Sequence, residues 1–280
     1  MGGYCMSDEK SLKYNEPWIL QRADPYVYRH TDGSYYFTAS VPAYDGIVLR
    51  RAGSLAELSG AEEVMIWKKH ESGPMSYHIW APEIHYLFGK WYIYFAGGEK
   101  EDIWKIRPYV LECSGDDPLT DEWVELGKMK RAAEDEFSFE AFSLDATVFE
   151  NKGEYYYVWA EKVGVGKMIS NLYIAKMESG NQLKTVQVLL TTPDYDWERK
   201  GFWVNEGPAV IHHDGKMFLT YSASETGVDY CVGMLSIDED ADILDPRLWK
   251  KERYPVLKTC EKLGIYGPGH NSFTVDEDGN

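Results

Sequence analysis

Five ionisable residues stand roughly sixty positions apart, each at the head of a short apolar run. Asp24 precedes Pro25-Tyr26-Val27, Glu83 precedes Ile84-His85-Tyr86-Leu87, and Asp145 precedes Ala146-Thr147-Val148-Phe149. Glu206 precedes Gly207-Pro208-Ala209-Val210, and His270 precedes Asn271-Ser272-Phe273-Thr274-Val275. If a fold gathers these heads, their carboxylates cannot all keep ordinary proton affinities. Like charge and partial burial push at least one pKa upward. One group can then donate a proton while another accepts one, which is general acid and base chemistry.

The runs between the heads say what must position them. After each head comes a turn and then an aromatic, β-branched run: Asp32-Gly33 before Tyr35-Tyr36-Phe37, Gly89 before Trp91 to Phe95, Gly153 before Tyr155 to Trp159, Asp214-Gly215 before Met217 to Tyr221. A turn flanked by such runs predicts a hairpin. Third runs follow at Ile47–Leu49, Tyr109–Leu111, Leu172–Ala175 and Tyr230–Leu235, and fourth runs at Val64–Trp67, Trp123–Leu126, Val186–Leu190 and Tyr254–Leu257. Helical periodicity is weak. Four strands per unit and five heads predict an all-β, five-bladed propeller with four antiparallel strands per blade. The first strand of each blade then lines the central channel, so distant heads meet in one pocket.

Residues 1–280 are read as a single domain, with 1–23 as an N-terminal arm or closing strand. The fifth unit reaches only Asp276-Glu277-Asp278-Gly279, so the last blade is expected to be incomplete, as in a chain truncated at its C-terminal end. Net charge is −17, which argues against nucleic acid or an anionic membrane as partner. No apolar run is long enough to span a bilayer, and residues 1–13 lack a signal-peptide pattern, so a cytoplasmic location is expected. Cys5, Cys113, Cys231 and Cys260 have no metal-type spacing and read as free thiols.

Together, Arg22-Ala23-Asp24-Pro25-Tyr26-Val27, Trp80-Ala81-Pro82-Glu83-Ile84, Leu144-Asp145-Ala146-Thr147-Val148-Phe149, Asn205-Glu206-Gly207-Pro208 and Gly267-Pro268-Gly269-His270-Asn271-Ser272 resemble glycoside hydrolase family 43. The resemblance covers residues 18 to 280. It implies a five-bladed propeller that hydrolyses arabinose- or xylose-containing plant cell-wall polysaccharides with inversion. Asp24 would then be the general base, Glu206 the general acid, and Asp145 the residue that orients Glu206 and keeps its pKa raised. Acid and base in an inverting enzyme stand about 6.5–9.5 Å apart to admit water. His270 resembles the histidine that supports a hydrated calcium ion in the channel; a channel histidine without metal is the competing reading. The chemistry itself requires no cofactor.

Trp80, Phe142 and Tyr26 lie beside heads and are candidate sugar-stacking residues, and Glu83 is a candidate substrate contact. Most other aromatics are expected between blades, where they bury large areas. The activity expected from the resemblance is removal of α-L-arabinofuranosyl units from arabinan, arabino-oligosaccharides or arabinoxylan. A β-xylosidase or endo-arabinanase of the same fold is the alternative within enzymes, and a non-catalytic sugar-binding propeller the alternative outside them.

Overall fold

Three hairpins close through two-residue turns in which both residues have positive φ: Phe88-Gly89 (51° and 76°), Lys152-Gly153 (54° and 78°) and Asp214-Gly215 (48° and 72°). Turns of this hand match the right-handed twist of the strands they join, and glycine adopts their second position without strain. They fix the register of the first two strands in three successive sheets. The computed structural model describes residues 17–163 and 167–280.

The first sheet is β1 (Ala23–Arg29), β2 (Tyr35–Ser40), β3 (Gly46–Ala52) and β4 (Val64–Lys68), antiparallel in that order. The second is β5 (Tyr77–Leu87), β6 (Lys90–Glu99), β7 (Asp102–Cys113) and β8 (Val124–Lys128). The third is β9 (Ser143–Asn151), β10 (Glu154–Glu161) and β11 (Met168–Ser179), with β12 (Gln182–Leu183) and β13 (Val188–Thr191) both pairing β11. The fourth is β14 (Trp203–His213), β15 (Lys216–Ala223), β16 (Cys231–Asp238) and β17 (Lys250–Lys251). A short parallel pairing, Met168 with Trp203 and Ser170 with Val204, joins the third and fourth sheets.

The aromatic second strands supply the packing between sheets. Tyr94, Tyr157 and Trp159 are fully buried in a cluster between the second and third blades, and Trp91 lies in the cluster between the first and second. Truncating such a ring to alanine costs about 3–5 kcal/mol. Cys113 and Cys231 are buried free thiols, while Cys5 lies outside the described residues. Among the described residues no helix is long and apolar enough to cross a membrane.

Two expected strands differ. In the fourth blade the last strand is Lys250–Lys251, not Tyr254–Leu257. Pro255 has no N–H to give a ladder, Tyr254 is 70% exposed, and pairing resumes only as a bridge between Val232 and Leu257. In the fifth unit, residues 267–275 form no strand. They make an arm that crosses from the fourth blade to the first. Thr220 of β15 and Asn271 share a side-chain hydrogen bond, Ser272 donates to the Pro25 carbonyl at 2.7 Å, Tyr35 donates to the Val275 carbonyl at 2.9 Å, and Arg29 to the Asp276 carbonyl at 2.8 Å.

Candidate active site

Each first strand carries an irregularity at the same place. The pairing skips two residues between Ala23 and Tyr26, between Trp80 and Glu83, and between Glu206 and Ala209, and β9 does the same between Leu144 and Thr147. The first skipped residue always has positive φ: Asp24 52°, Ala81 45°, Asp145 51° and Gly207 54°; His270, in the arm, has 45°. A bulge re-aims side chains beside an active site, and such φ values in non-glycine residues cost about 1–3 kcal/mol each, held by the surrounding fold.

This backbone register corrects the one read from charge. The residue equivalent to Asp24, Asp145 and His270 in the second blade is Ala81, not Glu83, and in the fourth it is Gly207. Glu206 stands one place earlier, level with Ala23, Trp80, Leu144 and Gly269. Side chains from both places line one cleft of about 540 Å³, which gathers Asp24, Asp145, Glu206, His270, Trp80, Phe142, Tyr230 and the Arg22 and Tyr44 rim. A more apolar cleft of about 570 Å³ adjoins it across Glu206, Phe142 and Thr226, with Trp104 and Phe202 on its walls.

Asp24 is held from two sides. Ser40 donates to its Oδ2 at 2.6 Å, and His270 Nδ1 lies 3.1 Å from its Oδ1. Ser40 Oγ also accepts the Ala81 N–H at 2.7 Å, which ties the first blade to the second. Asp145, 6% exposed, accepts the Gly207 N–H at 3.2 Å and has His270 Nδ1 at 3.6 Å. The Tyr230 hydroxyl donates to Glu206 Oε1 at 2.8 Å.

These contacts divide the proton affinities. Burial alone would raise Asp24, but the His270 charge and the hydrogen bonds from His270 and Ser40 outweigh it and hold the carboxyl below its usual value. Burial raises Asp145 to about 6 against the opposing His270 charge. Burial, with the Asp145 charge added, drives Glu206 to about 8, although the Tyr230 hydrogen bond opposes the rise. Burial lowers His270, but Asp145 and Asp24 overcome it and lift the imidazole to about 10, so it is a cation at neutral pH. The cleft thus holds one carboxylate that stays ionised and one that keeps its proton.

Two expected substrate contacts lie elsewhere. Glu83 is buried and pairs with His85 Nε2 at 2.9 Å, and His85 Nδ1 in turn meets the Tyr26 hydroxyl at 3.4 Å. Tyr26 packs against the hydrophobic cluster of the first two blades, and none of the three residues lines the cleft. Ser40 and Tyr44 were not named in the sequence, and Arg22 and Tyr230 entered only within a motif and a strand run, because nothing in their type or spacing marks them for chemistry. The calcium ion expected near His270 would have to be held mainly through water: His270 Nδ1 lies 3.1 Å from Asp24 Oδ1, and among the described residues no group of three His, Cys, Asp or Glu is placed to hold an ion directly.

Known proteins bear on this geometry. The chain is 50% identical over 269 residues to an extracellular exo-alpha-(1->5)-L-arabinofuranosidase of Streptomyces avermitilis, covering 96% of this chain and 55% of that protein. It thus spans about half of that relative's length. A protein of the same name from Streptomyces chartreusis is 48% identical, with 99% of this chain and 83% of that one covered. Both are named extracellular, which contradicts the cytoplasmic location expected above; the first residues of this stretch carried that expectation, and they hold no reliable record of compartment. Among solved structures, an alpha-L-arabinofuranosidase from Lactobacillus brevis superposes with a TM-score of 0.87 at 52% identity, over 94% of this chain and 82% of that one. The model of the glycosyl hydrolases of family 43 matches residues 14–280. What the strand heads suggested by resemblance is therefore membership: this chain belongs to glycosyl hydrolase family 43.

Proposed function

We propose that this chain hydrolyses glycosidic bonds with inversion, releasing α-L-arabinofuranosyl units from arabinan, arabino-oligosaccharides or arabinoxylan, and that the described blades act as one catalytic domain. The observation that carries the reading is the opposite proton affinity of Asp24 and Glu206 in one cleft. The names of the relatives support the arabinose part.

In this reading Asp24 accepts a proton from the water that attacks the anomeric carbon. Glu206 gives its proton to the glycosidic oxygen as that bond breaks, so the leaving sugar departs neutral. Asp145 adds the negative charge that helps Glu206 retain its proton, and its bond to the Gly207 N–H fixes the backbone beside the acid. His270 keeps Asp24 ionised. Trp80 and Phe142 offer apolar faces to the ring. The base must be ionised and the acid protonated, so activity should span a window from below the usual carboxylate range up to about pH 8.

Proton NMR of the first product tests the reaction: a sugar released in the anomeric configuration opposite to its linkage is expected, and retention overturns the assignment. Paired assays on 4-nitrophenyl α-L-arabinofuranoside and β-D-xyloside separate an arabinofuranosidase from a xylosidase. Binding of arabino-oligosaccharide without turnover would instead indicate a sugar-binding propeller.

A further inference from the structure

Glu206 has two oxygens, and a proton donor must present one of them to the leaving group. Tyr230 already occupies the other. Its hydroxyl donates to Oε1, and the ring is 7% exposed yet forms part of the cleft wall. The ring is itself held from behind. Ser222, whose Oγ accepts the His270 N–H at 2.6 Å, stands beside the hydroxyl, and the arm carrying His270 lies against the ring. A Cβ on Gly269 would stand 2.2 Å from Tyr230 Cε1, and one on Gly267 2.0 Å from the Gly227 carbonyl. Only glycine permits that approach.

We propose that Tyr230 is the positioning residue of the proton donor: by holding Oε1 of Glu206 it leaves Oε2 to deliver the proton, and Gly269 keeps the ring in place. This rests on the reading of Glu206 as the acid. The hydroxyl bonds the ionised oxygen, so it opposes the burial that makes Glu206 hold its proton and thereby keeps the acid strong enough to release it. The charged groups facing Glu206 are Asp145 from β9, Asp24 from β1, His270 from the arm, and Lys162 and Glu225 at the adjoining cleft. None of them is altered by removing one hydroxyl.

Tyr230→Phe tests the role while keeping the ring. On an arabino-oligosaccharide kcat should fall about tenfold with KM nearly unchanged, the value of one hydrogen bond to a charged group. The fall should be smaller on a 4-nitrophenyl glycoside, which needs less protonation. The alkaline limb of kcat/KM should move to higher pH, and a carbon-13 NMR titration of the Glu206 carboxyl should move with it. Gly269→Ala, which displaces the ring, should shift the limb in the same direction. A limb that stays put or moves down, or equal losses on both substrates, overturns the proposal. Glu206→Gln keeps the two readings apart. If it loses equally on both substrates, the acid assignment fails; if it spares the activated substrate while Tyr230→Phe leaves the limb unmoved, only the role of Tyr230 fails.

Discussion

Asp24 and Glu206 come from adjacent places in one repeated bulge, yet their surroundings give them opposite protonation. Asp24 faces the His270 cation and the Ser40 hydroxyl, two partners that favour its charged form. Glu206 faces burial and the Asp145 charge, opposed by the Tyr230 hydrogen bond and the His270 charge but not outweighed by them. The repeat supplies matched backbone, and the neighbours decide the chemistry. Glu198 offers a third case. It is fully buried but accepts from Lys251 at 2.8 Å, Asn205 at 3.0 Å and Tyr221 at 2.9 Å, so its charge is compensated on every side and does structural work.

The most severe way to break the contrast is to neutralise each cleft carboxylate. Asp24→Asn should lose about 10⁴-fold on natural and activated substrates alike, whereas Glu206→Gln should lose about 10³-fold on natural linkages and much less on a 4-nitrophenyl glycoside. Equal profiles for the two variants would erase the distinction.

Stability should separate the same groups from Glu198. Lys251→Met leaves a buried charge unpaired and should cost about 3–5 kcal/mol, a fall in Tm of roughly ten degrees for a chain of this size. Glu206→Gln should do the reverse. A carboxyl whose pKa is raised on folding loses its stabilising contribution as pH climbs from the ordinary carboxylate range to about 8. The variant should therefore gain a few degrees in Tm over wild type, more at pH 9 than at pH 5. Melting curves at both pH values check the sign.

A finer test removes the cation that faces all three cleft carboxylates and reads its effect on Asp24 at the acid limb. His270→Gln removes the cation that depresses Asp24, so the acid limb of kcat/KM should move up, with about tenfold lost near pH 4 and little at pH 7. An unmoved acid limb would separate His270 from the base. The smallest effect concerns the hydrated calcium expected near His270: activity and Tm unchanged by EDTA would leave His270 without that role, and a fall in either would support it.

Much of this was legible in the sequence because a propeller repeats its signals. Turn glycines and aromatic second strands placed the blades, and Asp24, Asp145 and Glu206 converge as their spacing implied. What repetition does not carry was missed. Glu83 looked equivalent to the other heads because charge is visible and φ is not; the equivalent residue is Ala81, which has nothing to titrate. Tyr254–Leu257 looked like a strand by composition, but Pro255 breaks its ladder. Tyr230 occurs once, in a stretch leading into β16. The glycines at 267 and 269 hinted that something comes close, without saying what.

The arm from His270 to Glu277 has a consequence for how the molecule comes apart. It reaches residues 222 to 247 positions away along the chain, through Leu55, Arg29 and Pro25. Contacts that distant are the slow ones in assembly, and a seam made of a few of them opens at lower free energy than a packed sheet. All four blades can stand intact while His270 has left Asp24 and Gly269 has left Tyr230. Turnover is then a gauge of whether the ring is latched, and in a denaturant series it should vanish before the circular dichroism of the sheets begins to change.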